Sequence, residues 1–269
     1  MINQCTNKDH TGAMKMLDTS CFRPISLEHM DEVKLMNRTD TKYCATIDQL
    51  NELFQKIQPH YYVLTMDGEN QLPYETTYFD TPSALMYSNH VRGKKNRYKI
   101  RRRTYLSTGI HFIEIKFKNN KGRTIKERIE TEAIFKELSP KEQVFLNDKT
   151  PFDPIYLQPG LQNRFKRITL VNKNLKERCT IDVNLQFIQH QEKVVLKDLA
   201  IIEVKTGDRN TLSEIAIALR NMRIKPSGFS KYAMGRSLVD EKIKSNAIKP
   251  KIRNLQKLSR ISIFTHQLT

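Results

Sequence analysis

Eight of the twelve residues from Arg92 to Arg103 are basic (Arg92, Lys94, Lys95, Arg97, Lys99, Arg101, Arg102 and Arg103), and no carboxylate occurs between Thr81 and Ile113. Within this stretch Tyr98–Tyr105 alternates as a strand does, with Lys99, Arg101 and Arg103 on one face and Arg102 on the other. Like charges at every second position repel one another unless an anion lies across them. The chemistry this spacing suits is the grip of a multiply charged anion, with guanidinium forks taking phosphate oxygens in pairs. Arg92, Lys94, Lys95 and Arg97 are expected outside the grip or at its mouth, and Arg102→Ala is expected to matter little.

Other segments repeat the alternation with mixed charge. Glu114, Lys116 and Lys118 face away from Ile113, Ile115 and Phe117; Arg178, Thr180 and Asp182 face away from Cys179, Ile181 and Val183. Glu203 and Lys205 oppose Ile202 and Val204, and Lys126 and Arg128 share a face. For one strand alone, an apolar face on a core and a polar face in water explains this. As a set, the polar faces are Arg, Lys and Glu rather than Thr and Ser, and several helices are available to cover the apolar faces. The expectation is an α+β fold: a closed antiparallel β-barrel of about eight strands, charged inside, with helices packed outside. Cations gathered in that number require a hydrated or anion-filled lumen, so the barrel is expected to be a basic tunnel.

The elements that must position these residues can be read from periodicity and caps. Ser26 is placed to cap a helix through Met36, a strand follows over 37–45, and Leu50, Leu53, Phe54 and Ile57 mark an amphipathic helix. Strands are expected at 60–66 and 74–80, a short helix at 83–90, and a hairpin joining 110–118 to 122–131. A helix at 139–147 precedes strands at 164–171, 177–183 and 199–206, and a helix at 211–222. The chain divides into a flexible leader (1–25), a tunnel domain (26–240) and a basic tail (241–269) with seven basic residues against Glu241.

Composition narrows the partners. The 269 residues are 38% hydrophobic and 28% charged, with a net charge of +17, which suits a soluble protein with a polyanionic partner. No apolar run reaches the length of a membrane-spanning helix, and the first ten residues lack a signal core. Four cysteines without a CxxC pair and seven scattered histidines argue against a disulfide framework or a zinc site, and for a reduced, cytoplasmic setting. The chain has no tryptophan, and the basic strand offers only Tyr98 and Tyr105 as stacking platforms, so no nucleic-acid partner is expected.

At these residues the chain resembles the VTC (vacuolar transporter chaperone) domain, the polyphosphate-polymerase branch of the triphosphate tunnel metalloenzymes. The likeness runs from about Arg38 to Gly235 and follows the family's order. Its pieces are Arg38-Thr-Asp-Thr-Lys-Tyr43, Tyr78-Phe-Asp-Thr81, Arg101-Arg-Arg-Thr-Tyr105, Glu114-Ile-Lys116, Ile125-Lys-Glu-Arg128, Asn163-Arg-Phe165, Arg178-Cys-Thr-Ile-Asp182, Glu203-Val-Lys205 and Phe229-Ser-Lys-Tyr232. The resemblance implies phosphate-binding and catalytic roles for Lys42, Arg101, Arg103, Lys116, Lys126, Arg164, Arg178 and Lys231. It implies a metal-ligand role for Glu203, with Glu114 as a second carboxylate; Lys99, Arg128 and Lys205 have the parity to line the lumen. Two departures stand out. Hydrolytic members of the superfamily open with Glu-x-Glu-x-Lys, where this chain has Arg38-Thr-Asp-Thr-Lys42; and Gly228 stands where fungal polymerases tend to carry a lysine, with Lys225 nearby.

The implied activity is transfer of the ATP γ-phosphate to a growing polyphosphate chain, with Mn²⁺ or Mg²⁺ as the cofactor and ATP, polyphosphate and pyrophosphate as ligands. A terminal phosphate is already ionised near neutral pH and needs no general base, which suits a lumen short of acids. A tripolyphosphatase or nucleoside triphosphatase of the same fold is the alternative, kept open by Asp40, and a non-catalytic polyphosphate-binding module is another. Eukaryotic relatives work with membrane proteins that translocate the polymer. For this chain such a partner would be a separate protein, with a peripheral place at the membrane and the basic tail as the docking surface.

Overall fold

The computed structural model describes residues 17–31, 39–132, 137–207, 213–259 and 264–267. The expectations that fall on residues 1–16, Met36, Arg38 and Thr211 lie outside these. The chain opens with β1 (Arg23–Ile25), α1 (Leu27–Asp31), β2 (Thr39–Ala45), α2 (Ile47–Ile57), β3 (Tyr61–Leu64), β4 (Leu72–Asp80) and α3 (Leu85–Val91). The basic strand β5 (Arg97–Tyr105) and its hairpin partners β6 (Ile110–Lys118) and β7 (Thr124–Thr131) follow, then α4 (Pro140–Lys149). Next come β8 (Gln158–Asn172), β9 (Glu177–Gln189), β10 (Glu192–Leu196), β11 (Ala200–Thr206) and α5 (Glu214–Asn221). The chain ends with α6 (Lys231–Val239), α7 (Lys249–Ser259) and β12 (Phe264–Gln267). No helix among the described residues is long and apolar enough to cross a membrane.

Eight strands form one antiparallel path, β7-β6-β5-β4-β8-β9-β11-β2, with β3 and β1 branching from β8, and β10 and β12 from β9. The path curls far enough that Lys99 of β5 and Lys42 of β2 reach adjacent residues, Ser230 and Phe229. Among the described residues β7 and β2 are not paired, so the sheet is not closed there and the expected closed barrel is not confirmed. The free edge of β2 is taken by the segment entering α6. Tyr43 bridges Pro226, and the Ser227 N–H donates to the Lys42 carbonyl at 2.7 Å. Pro226 has no N–H to continue a ladder, so this contact ends rather than extends the sheet. The β7 edge alternates Lys126, Glu127, Arg128 and Glu130, the kind of charged edge that resists pairing.

The outer faces are apolar and covered by helices. A Thr46–Gln49 capping box starts α2, and its buried side (Ile47, Leu50, Leu53, Phe54, Ile57) joins Ile215, Ala218 and Leu219 of α5 over Tyr43, Ile168, Ile181, Ile202 and Val204. Phe22 meets Phe54 edge-on at 5.1 Å in the same core, Leu17 and Cys21 pack against it, and β1 pairs with β3. At the other end, Leu138 and Leu146 cover Phe79, Ile100, Ile113 and Ile115.

Arg102 lies under α4, not in solvent. Its guanidinium meets both oxygens of Glu142, at 2.8 and 2.5 Å, and donates to the Glu137 carbonyl; Arg102 is 7% exposed and Glu142 fully buried. Glu142 is also the capping-box residue of α4, accepting from the Ser139 N–H at 2.8 Å. The outward parity was legible; the burial was not, because the partner lies forty positions away and on a helix. Contrary to the expectation from sequence, Arg102→Ala removes two of the three donors to the buried Glu142 carboxylate. It should cost about 3–5 kcal/mol, read as a lowered urea midpoint at unchanged slope.

A bulge divides the inner face into two zones. Asn184 takes φ 54°, and the β8–β9 register slips there, between Arg164↔Gln186 and Lys166↔Val183. Before the bulge β9 turns Arg178, Thr180 and Asp182 inward; after it, Leu185 and Phe187. These join Tyr78 and Leu161 to seat Tyr232, Ala233 and Met234 of α6, which forms an apolar floor. Tyr78 stacks on Tyr232 at 4.8 Å, and a Cβ on Gly235 would stand 2.5 Å from Phe187, so only glycine fits. Asp80 pins the floor to α3: it accepts from the N–H groups of Thr81, Met86 and Tyr87 and from the Tyr232 hydroxyl. The Tyr78–Thr81 motif is thus a fastening.

Described residues beyond Asp240 also pack on the fold. Ile248, Ile252 and Leu255 lay α7 against the same core, and β12 pairs with β10.

Candidate functional site

Above the floor, strand parity turns basic side chains inward from β2, β5, β6, β7, β8, β9 and β11. Lys42 and Glu203 sit opposite each other in the β2–β11 register, Lys99 opposite Lys116, Arg101 opposite Glu114, and Lys116 opposite Lys126. Lys231 enters from the first turn of α6, capped by Ser230. Lys42, Lys99, Arg101, Arg103, Lys116, Lys126, Arg128, Arg178, Lys205, Lys231, Glu114 and Glu203 therefore share one concave face.

Arg164 does not. It lies on the outer face of β8, its side chain 52% exposed, paired with Glu75 at 2.7 Å. The inward residue is Arg167, two strand positions beyond Phe165, and its guanidinium stacks over the Tyr74 and Phe165 rings at 5.1 and 5.3 Å. The segment Arg164-Phe-Lys-Arg167 carries charge on both faces, so alternation could not choose between them.

Three acids of this face are each held by two cations. Glu114, wholly buried, takes Arg101 at 2.6 Å on one oxygen and the Lys126 ammonium on the other. Asp182 takes Arg167 at 2.6 and 2.9 Å together with the Lys231 ammonium. Glu203 lies 3.2 Å from Lys205 and 4.0 Å from Lys42. Burial pushes all three carboxyls up, but the cations outweigh it. Arg101, Arg103 and Lys126 hold Glu114, and Arg167 and Lys231 hold Asp182, well below the usual range; Lys205, Lys42 and Arg167 bring Glu203 to about 2.

The lysines move the other way. Burial, then Lys42 and Arg101, lower Lys99 to about 7; burial outweighs Asp182 to leave Lys231 at about 8. Arg101 and then burial depress Lys116 strongly, and burial outweighs Glu114 to lower Lys126, a third exposed, to about 8. A folded lysine below its unfolded pKa binds fewer protons than the unfolded chain, so stability rises with pH between the two values. From pH 7 to about 10 the ligand-free protein should become more stable while its affinity for polyphosphate falls. Thermal midpoints and titration calorimetry across that window would show the two trends diverge; parallel trends would count against charged Lys99 and Lys231 as anion ligands.

Glu114 does not fit a metal, because both its oxygens are engaged and it has no exposed surface. No group of three or more His, Cys, Asp or Glu able to hold a metal ion occurs among the described residues. Glu203 is different. Its side chain keeps 21% exposure and touches flexible ammonium groups, which suits one hard oxygen ligand for an ion whose other ligands are phosphate oxygens.

The family model for the VTC domain matches residues 37–240. No curated protein sequence matches the chain. A solved Hippeastrum protein, HpAC1, a candidate adenylyl cyclase described as having a dominant triphosphatase activity, is 15% identical; the match covers 75% of this chain and 96% of that one, with a TM-score of 0.50. A candidate adenylate cyclase from Vibrio parahaemolyticus is 11% identical over 73% of this chain and 95% of that one, with a TM-score of 0.43. The first of these shows the fold that the two chains share.

Proposed function

Because the chain belongs to the VTC domain family, we propose that it is a polyphosphate polymerase that moves the ATP γ-phosphate onto a growing chain. The observation that carries this reading is the state of three acids on this face. A base that takes a proton from water should have a pKa near the working pH, whereas Glu114, Asp182 and Glu203 are all pushed down by the cations that hold them. The nucleophile these surroundings favour is one that arrives already ionised, the terminal phosphate of polyphosphate.

Arg101 and Arg103 would grip the transferred group, with Arg167 alongside, and Lys116 and Lys126 would neutralise the neighbouring phosphates. An oxygen of the chain's terminal phosphate attacks the γ-phosphorus, the bond from that phosphorus to the β-bridging oxygen breaks, and ADP leaves with the electron pair. Glu203 would hold a Mn²⁺ or Mg²⁺ together with phosphate oxygens; when bound, the ion supplies charge neutralisation at those oxygens. Lys231 would exchange its bond to Asp182 for one to phosphate.

The test is product analysis. Incubation with ATP and Mn²⁺ should give ADP and a polyphosphate ladder in equal phosphate equivalents. Orthophosphate without any ladder would replace this reading with the hydrolytic one.

A further inference from the structure

Three ammonium groups from three elements converge on three successive residues of one turn. Lys251 of α7 donates to the Gly228 carbonyl at 3.3 Å, Lys42 of β2 to the Phe229 carbonyl at 3.5 Å, and Lys99 of β5 to the Ser230 hydroxyl at 3.2 Å. These acceptors are neutral. Among the described residues no carboxylate lies within ion-pair distance of Lys99 or Lys251, and the one near Lys42 is Glu203 at 4.0 Å. Three cations drawn together over neutral oxygens repel one another, and the arrangement gains most when an anion takes the place of those oxygens.

His90 marks the same spot from α3. Its Nδ1 is buried and has no hydrogen-bond partner, and burial, followed by Lys99, Arg97, Lys251 and Lys42, keeps the ring neutral, down to about 3. The turn also leads into the first turn of α6, whose nine residues begin at Lys231. Lys251 lies beyond residues 37–240, so it comes from outside the matched domain. A Cβ on Gly228 would stand 3.6 Å from the Lys251 ammonium, so α7 delivers a charge to a place where the turn itself has no side chain.

We infer that the Gly228–Ser230 turn is a further phosphate subsite, in which Lys99 and Lys251, with Lys42 shared with the neighbouring Glu203 site, take the phosphates of a polyphosphate chain that continues past Glu203. This rests on the reading that the lumen binds polyphosphate. The subsite sits beside the β2 edge taken by the Pro226–Ser227 segment, so a chain longer than the central cluster continues toward α7. Long chains then bind more tightly than short ones, and α7 is a substrate-binding element of this chain.

Titration calorimetry with tripolyphosphate and with a long polyphosphate tests the subsite. Lys251→Gln should weaken the long chain about tenfold, the loss of one charge-assisted hydrogen bond, and leave tripolyphosphate as in the wild type. Lys251→Arg and the double variant G228K/K251Q should restore long-chain affinity, and Lys257→Gln, on the exposed side of α7, should change neither ligand. Equal weakening of both ligands, no weakening of either, or the same loss in Lys257→Gln would overturn the subsite while leaving the polymerase reading intact. A wild-type protein that binds neither ligand would overturn both.

Discussion

Arg103→Ala should lower the rate of ADP formation per enzyme by about 10²–10³-fold, the usual loss for one donor aimed at developing charge, while leaving thermal stability unchanged or raised. Arg103 is 8% exposed, yet its partners are a 3.4 Å bond to the Thr76 hydroxyl and the Tyr74 ring at 5.8 Å. Burial, then Arg101 and Arg167, press on its charge. A guanidinium stays protonated regardless, so the fold carries the repulsion and removing the side chain relieves it. Arg101→Ala differs: it strips a buried Glu114 of a 2.6 Å partner and should lose stability as well as activity. The contrast between the two variants is the measurement. Arg103→Ala that unfolds early but turns over normally would mean the residue serves packing and not substrate.

Glu203→Gln should abolish metal-dependent turnover, by at least about 10²-fold, and strengthen binding of metal-free polyphosphate. Glutamine keeps the shape and removes the charge that now occupies Lys42 and Lys205 at 4.0 and 3.2 Å. Both ammonium groups are then released to phosphate, and the face gains one net positive charge. Activity measured beside chelator-treated binding separates the two effects. Full turnover in Glu203→Gln would remove this carboxylate from the reaction; weaker metal-free binding would mean that it orients the lysines instead of competing for them.

Local alternation carried much of this architecture. In β5, β6, β7, β11 and the first half of β9 the residue types differ sharply between faces, so Lys99, Arg101, Arg103, Lys116, Lys126, Arg178, Glu203 and Lys205 could be placed by parity. What failed were properties that no window of one strand contains. β8 is charged on both faces, hiding Arg167 behind Arg164. The Asn184 bulge reverses parity within β9, so the floor made by Leu185 and Phe187 was invisible. Arg102 and Glu142 depend on a helix packing over a distant strand, and the two cations that engage Glu114 come from neighbouring strands. Closure of the sheet depends on its two terminal strands, and the Pro226–Ser227 segment takes the edge where the second would pair.

That unzipped edge has a topological meaning. A continuous ring admits a polymer only by its tip, as a needle's eye admits thread. A sheet whose terminal strands stay unpaired among the described residues bounds its charged face with a seam instead, and at β2 that seam is lined by the Tyr43–Pro226 bridge, the 2.7 Å Ser227–Lys42 bond and a 3.1 Å contact between Ser227 Oγ and Cys44 Sγ.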